Sequence, residues 1–321
     1  MNKVLVSEAM SAYALDTLRT SLDVCFYPEL WDQPEKLATE IVDTRAIIVR
    51  NQTQVTAELI ERANHLQIIG RAGTGLDNID MAAATGAGVV VASTPHHNAV
   101  SVAELTIGLM LALARNITAA DRDTKAGGWN RQRYTGIELC GKTLGVVGFG
   151  RIGFLTAMRA HALGMQVVVF DPYVDPDSTL LTQAGAELME LEKLLTQSNV
   201  VCCHMPSTAA THQMFNAERF ATMKPGALFI NVARGEVVDE SALITALTKE
   251  HLAGAALDVR TSEPATAGPL DKMDQVILTP HIGAFTVQAQ HRVEAAVCRD
   301  VMAVLNGTSA INAVNFPSPR R

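Results

Sequence analysis

At 321 residues, with 48% hydrophobic and 18% charged side chains, the chain is long enough for two domains of ordinary size and too apolar to be disordered. A formal charge of −7 gives no global attraction to nucleic acid or to an anionic membrane, so an anionic ligand would need a local cluster of arginines. Five cysteines (Cys25, Cys140, Cys202, Cys203, Cys298) contain no C-x-x-C pair and no metal-ligand spacing, which predicts reduced thiols with neither a disulfide framework nor a metal site.

The opening MNKVLVSEAM enters a short strand and lacks the apolar core of a signal peptide. The most hydrophobic stretch, residues 99–114, is too short to span a bilayer and contains Ser101, Glu104 and Thr106, so a cytoplasmic location is expected. Apolar runs at 4–6, 24–27, 46–50, 66–70 and 89–92 alternate with helix-like segments, which predicts a parallel sheet. The alternation breaks at TPHHN, residues 94–98, and a helix over about 99–115 follows. It is apolar nearly all round, with small residues at Ala103, Gly108, Ala112 and Ala114, as suits a helix buried between elements or between subunits. It reads as the crossing into a second domain.

Within that domain TLGVVGFGRIGFLTAMRAHALGMQVVVFDP reads as strand, glycine turn, helix and strand. Gly148, Gly150 and Gly153 have the G-x-G-x-x-G spacing of a dinucleotide cradle: one for the sharp turn, one for close approach to a pyrophosphate, one for helix packing. The phosphates would sit on the free N–H groups of the helix N-terminus, at Arg151 and Ile152. Asp171 ends the second strand where an acid accepts both ribose hydroxyls and would repel a 2′-phosphate, so NAD is expected rather than NADP. An empty βαβ unit is the plainer alternative.

Further strands are expected near 200–203, 227–232, 254–259 and 276–278, with a helix over 239–249. The last helix, 287–305, is too long for a simple cap and is expected to return to the first domain, making it discontinuous: residues 1–97 and 287–321 against 98–286. The tail NFPSPRR is expected to fray. The fold class is therefore α/β, with two Rossmann-like parallel-sheet domains.

In open α/β sheets ligands bind beyond the carboxyl ends of the strands, which selects Arg234 after ALFINVA, Glu263 after the run ending at Asp258, and His281 after VILTP. An arginine can bind a carboxylate and polarise a ketone, a histidine can exchange a proton with the alkoxide, and a glutamate can orient the imidazole and stabilise its charge. Taken singly, each also reads as an ordinary surface arginine, loop acid or turn histidine. Asp258 is placed to hold a nicotinamide carboxamide or, equally, to cap the loop that follows; Ala233 and Gly283 complete the expected cofactor contacts.

GKTLGVVGFGRIG, INVARGEVVDE, AALDV followed by EP, and TPHIGA together resemble the D-isomer-specific 2-hydroxyacid dehydrogenases. GRAGTGLDNID and SVAELTIGLMLALAR are similar to the D-3-phosphoglycerate dehydrogenase branch. The resemblance covers almost the whole chain. It implies that Arg234, Glu263 and His281 are catalytic, that Gly73, Thr74 and Gly75 hold the substrate carboxylate, and that a homodimer forms partly around the helix after the crossing. A formate dehydrogenase would carry glutamine in place of Glu263. Arg50 and Arg71, after predicted strands, and Arg131 and Arg133, in a loop the resemblance sends toward a neighbouring subunit, are candidates for a second anionic group; each also reads as a solvated surface charge. Two departures stand out: His97 and Ala99 flank Asn98 where that branch commonly has glycine and serine, and no regulatory domain is expected after the last helix.

The expected activity is NAD-dependent interconversion of a D-2-hydroxy acid and its 2-keto acid, with 3-phosphoglycerate and 3-phosphohydroxypyruvate leading. Other anionic 2-hydroxy acids (hydroxypyruvate/glycerate, sulfolactate, lactate) come next. The competing class is a non-enzymatic NADH-sensing protein like the corepressors that resemble these dehydrogenases.

Overall fold

The computed structural model describes residues 3–94 and 97–316, and the chain divides into two units: residues 1–98 with 284–321, and residues 99–283. Pro95 and His96 of the TPHHN connection, and residues 317–321 of the tail expected to fray, lie outside the described residues.

The first unit is a five-stranded parallel sheet of β1 (Lys3–Val6), β2 (Asp23–Phe26), β3 (Ala46–Val49), β4 (Ile68–Arg71) and β5 (Val90–Ala92), in the order β2-β1-β3-β4-β5. The inner strands read VLV, AIIV and IIG and are buried throughout, as a parallel sheet covered on both faces requires. Ser11, Thr56 and Asp80 start three of its helices by accepting the N–H groups of Ala14, Leu59 and Ala83. The final helix, Val287–Leu305, lays Val293, Val297 and Val301 onto Val4, Ile48 and Ile68. A Cβ on Gly70 would stand 2.6 Å from Val297 Cγ2, so only bare backbone lets that helix approach the sheet.

The second unit has seven parallel strands: β6 (Thr143–Val147), β7 (Gln166–Phe170), β8 (Ala186–Leu188), β9 (Val200–Cys203), β10 (Ala227–Asn231), β11 (Leu252–Leu257) and β12 (Val276–Leu278). Their order, β12-β11-β10-β9-β6-β7-β8, reverses direction of growth between β6 and β9. That is the switch point of a doubly wound sheet, where a crevice opens beyond the strand ends. The α/β expectation holds in both units. β8 had no separate sequence signal, being three residues without a fully buried member. β11 runs Leu252–Leu257, beginning two residues before the expected 254–259 and ending two residues before it. Phe215, Phe220 and Phe229 fill one side of this sheet, with ring centroids 4.8 Å apart for Phe215–Phe229 and 5.3 Å for Phe220–Phe229. On the other side the helix Ala99–Ala114 packs against the helix Arg151–Ala162. Among the described residues no single helix is long and apolar enough to cross a membrane.

Candidate active site

The glycine turn sits at the switch point. Gly148 has φ +95°, and a Cβ there would stand 3.0 Å from the carbonyl carbon of His204, just after β9, so an L side chain is excluded on both counts. A Cβ on Gly153 would stand 2.1 Å from the Gly148 carbonyl oxygen, which is how closely the new helix returns over the turn. Gly150, by contrast, meets nothing within 4 Å and N-caps the twelve-residue helix Arg151–Ala162, whose first N–H groups have no partner within the helix. Asp171, at the end of β7, accepts the Phe149 N–H at Oδ2 (2.8 Å) and the Tyr173 N–H at Oδ1 (2.9 Å). Each oxygen keeps a lone pair for a ribose hydroxyl. At the end of β9 both ring nitrogens of His204 are shut off from solvent without a partner, and burial pushes the imidazole down to about 3, so it is neutral. An open backbone face, an acid held beside it and an orphaned polar ring one strand away fit a bound dinucleotide.

Three strand ends farther along the same sheet deliver the other predicted residues. At β10, buried Asn231 accepts the Ala233 N–H (3.0 Å) and donates to the Arg234 carbonyl (2.8 Å), which fixes the turn presenting the Arg234 side chain. Arg234 Nη1 donates to the Ala233 carbonyl at 2.7 Å. At β12, His281 is held at φ +54°, a left-handed conformation that costs a non-glycine residue roughly 1–3 kcal/mol. Asp258, 1% exposed at the end of β11, supplies the compensation. Its carboxylate accepts Thr279 Oγ1 (2.6 Å), the Ile282 N–H (2.8 Å) and the Gly283 N–H (2.8 Å), and its carbonyl accepts the His281 N–H (2.8 Å). Asp258 thus caps the TPHIG turn, holding it through both its carboxylate and its carbonyl.

The held ring donates from Nδ1 to Glu263 Oε2 at 2.7 Å, leaving Nε2 to exchange a proton. Burial works to raise the Glu263 carboxyl. The hydrogen bond and charge of His281, the Arg260 N–H and the charge of Arg234 outweigh it and hold Glu263 below the usual carboxylate range. Arg234, Glu263 and His281, spread over 47 positions of sequence (281 − 234), thus share one neighbourhood.

Residues 107–283 match the profile of the D-isomer specific 2-hydroxyacid dehydrogenase, NAD binding domain. The chain belongs to the D-isomer specific 2-hydroxyacid dehydrogenase family. It is 44% identical to a D-3-phosphoglycerate dehydrogenase of Archaeoglobus fulgidus over 98% of its own length and 60% of the relative's. It thus spans about three fifths of that curated relative. Among solved structures it resembles a protein of Thermus thermophilus (TM-score 0.91, 35% identity, 97% of this chain and 99% of that one). It also resembles a glyoxylate reductase from Paecilomyes thermophila (TM-score 0.88, 29% identity, 98% of each chain). The second unit is therefore the NAD binding domain of a 2-hydroxyacid dehydrogenase family member.

The arginines singled out in the first unit stand at strand ends, but each is engaged. Arg50, after β3, donates to Gln290 Oε1 and to the Ala9 carbonyl (3.4 Å), lies 3.8 Å from Glu294 and stacks under Phe285 at 5.2 Å. Arg71 is 9% exposed and folds back to the Ala72 carbonyl (3.1 Å), filling the space a Cβ on Gly73 would need. It braces loop 72–75, where Gly73 accepts the Thr94 N–H (2.9 Å) and Thr74 donates to Asn98 Oδ1 (3.1 Å). In the second unit Arg133 pairs with Asp274 at 3.1 Å, and Arg131 is exposed. Sequence reasoning overlooked Asn231, whose only signal was a polar residue closing an apolar run, and His204, placed likewise after VVCC.

Proposed function

We propose that this protein is an NAD-dependent oxidoreductase interconverting a D-2-hydroxy acid and its 2-keto acid, with 3-phosphoglycerate and 3-phosphohydroxypyruvate as the leading pair. The observation that carries the reading is the 2.7 Å hydrogen bond of His281 to Glu263 with the Arg234 charge beside it. Bound NAD supplies the acceptor for the hydride leaving C2 of the hydroxy acid. Arg234 binds the substrate carboxylate and polarises the C2 oxygen through its planar fork. The N–H groups of Gly73, Thr74 and Gly75 are assigned to the same carboxylate. His281 Nε2 takes the hydroxyl proton in oxidation and returns it in reduction, while Glu263 orients the ring and stabilises its positive charge. Asp258 and Gly283 hold the histidine loop, and Ala233 lines the arginine turn.

Relatives named for phosphoglycerate favour a far-end phosphate. A second reading, a shorter acid without one, is favoured by the prior engagement of Arg50 and Arg71. A substrate panel separates the two: NADH oxidation is measured with hydroxypyruvate, its phosphate, a sulfonated analogue, glyoxylate and pyruvate. One new charge-assisted hydrogen bond, roughly 1.5–3 kcal/mol, predicts at least about tenfold higher kcat/KM for the phosphate ester. Equal values select the shorter acid. Absence of NADH oxidation with every keto acid selects the NADH-sensing class instead.

The assembly in this reading is a homodimer built around the helix Ala99–Ala114. Val100, Leu111, Ile117, Trp129 and Ile137 are apolar and 37–80% exposed along that helix and the segments that follow, a surface suited to a second copy. The double variant Leu111→Glu, Ile117→Glu is expected to sediment as a monomer while the wild type sediments as a dimer; a monomeric wild type would remove the proposal. A reducing, cytoplasmic setting belongs to the same reading and is supported by free thiols at Cys202, Cys203 and Cys298, all buried.

A further inference from the structure

The acid that orients His281 is delivered by an exposed loop. Residues 261–267 are solvent-exposed, and the Glu263 side chain is itself 36% exposed, so packing alone does little to fix its reach. What does hold the loop is an ion pair behind it. Glu240, the first residue of the helix Glu240–Thr248, accepts Arg260 Nε at Oε1 (3.0 Å) and Arg260 Nη2 at Oε2 (2.8 Å). Its Oε1 also accepts the Thr261 N–H (3.0 Å) and Thr261 Oγ1 (3.2 Å). The pair is partly shielded, with side-chain exposures of 13% for Arg260 and 22% for Glu240, and the two-point fork fixes direction as well as distance. The backbone of Arg260 lies flat on the turn that presents Arg234, since a Cβ on Gly235 would stand 2.0 Å from the Arg260 carbonyl carbon. From there the Arg260 N–H donates to Glu263 Oε1 at 3.3 Å, while Oε2 takes the His281 ring.

We infer that Arg260 and Glu240 are positioning residues: their ion pair clamps the Arg234 turn, the helix start and the acid-bearing loop together and so sets the contact of Glu263 with His281. The inference rests on the oxidoreductase reading above. Hydrogen bonding from Arg260 holds the Glu240 carboxyl low against the effect of burial, so the clamp stays charged throughout the working range. Glu263 faces His281, Arg234 and the Arg260 N–H, and these keep it ionised at pH values where an ordinary carboxylate protonates.

The test compares wild type with Arg260→Leu, Glu240→Ala, the double variant and the milder Arg260→Lys. In keto-acid reduction, kcat should fall by about 10- to 100-fold in the first two, the scale of a misplacement near 1 Å, with NADH affinity unchanged. The acid limb of the kcat profile should move to higher pH, because a released Glu263 loses the contacts that keep it ionised. The double variant should be no worse than either single, and Arg260→Lys should recover part of the rate. Independently of turnover, the downfield proton resonance of His281 Nδ1–H bonded to a carboxylate should be present in wild type and lost in Arg260→Leu. A fall in Tm with kcat and the acid limb unmoved would overturn the inference, reducing the pair to a structural brace. If wild type oxidised NADH with no keto acid, the proposed activity would fail, and the proton resonance alone would then decide the clamp: its survival in Arg260→Leu overturns it.

Discussion

Replacing His281 by asparagine should lower turnover by about 10² to 10⁴, the usual worth of a positioned acid-base group, while NADH binding by fluorescence stays at the wild-type level. Asparagine is the informative substitution because position 281 has φ +54°, and asparagine tolerates the left-handed region better than most residues. The loop held by Asp258 then survives, and the loss reports the missing ring rather than a collapsed turn. Weakened NADH binding in this variant would mean that the histidine is structural. Glu263→Gln should lower the rate by a smaller factor, since the amide still accepts from Nδ1 but no longer stabilises the imidazolium.

Asp171→Asn should narrow the preference for NAD over NADP by about one to two powers of ten, from the loss of charge-assisted bonds worth roughly 1.5–3 kcal/mol to the ribose and of repulsion toward a 2′-phosphate. The amide retains a carbonyl oxygen for the Phe149 N–H, so the glycine turn keeps one of its anchors. Titrating both cofactors against the variant reads the effect directly. An unchanged ratio would assign cofactor choice to another group.

The two expected effects differ in how far they were visible beforehand. Asp171 was legible because it acts locally: strand, glycine turn, helix and strand occupy one continuous stretch, and its spacing from Gly153 follows from element lengths alone. The buried runs of β3, β6 and β10 were legible for the same reason, since a strand covered on both faces reads as a nearly continuous apolar run. β8 was not, because an edge strand with exposed residues leaves no such signature. Arg234, Glu263 and His281 could be nominated, each following an apolar run, but their mutual contact could not be derived from spacing. Arg50 and Arg71 mark the opposite limit. Their positions after β3 and β4 followed from the pattern, yet Arg71 folds back on the Ala72 carbonyl and Arg50 is engaged by Gln290 and Glu294, on a helix more than two hundred positions away.

By itself the amino-acid order determined the alternation of strands and helices, the glycine turn and the acid at the end of β7. All of these are set by short-range sterics and by periodic burial, which a linear chain records directly. Tertiary structure alone decided which charges meet. The left-handed His281, the loop hung on the Asp258 carboxylate and the Arg260–Glu240 pair behind Glu263 each join residues that follow different strands of the sheet. Their energies depend on distances of a few ångströms between groups 18 to 25 positions apart, and only the parallel sheet brings those groups together.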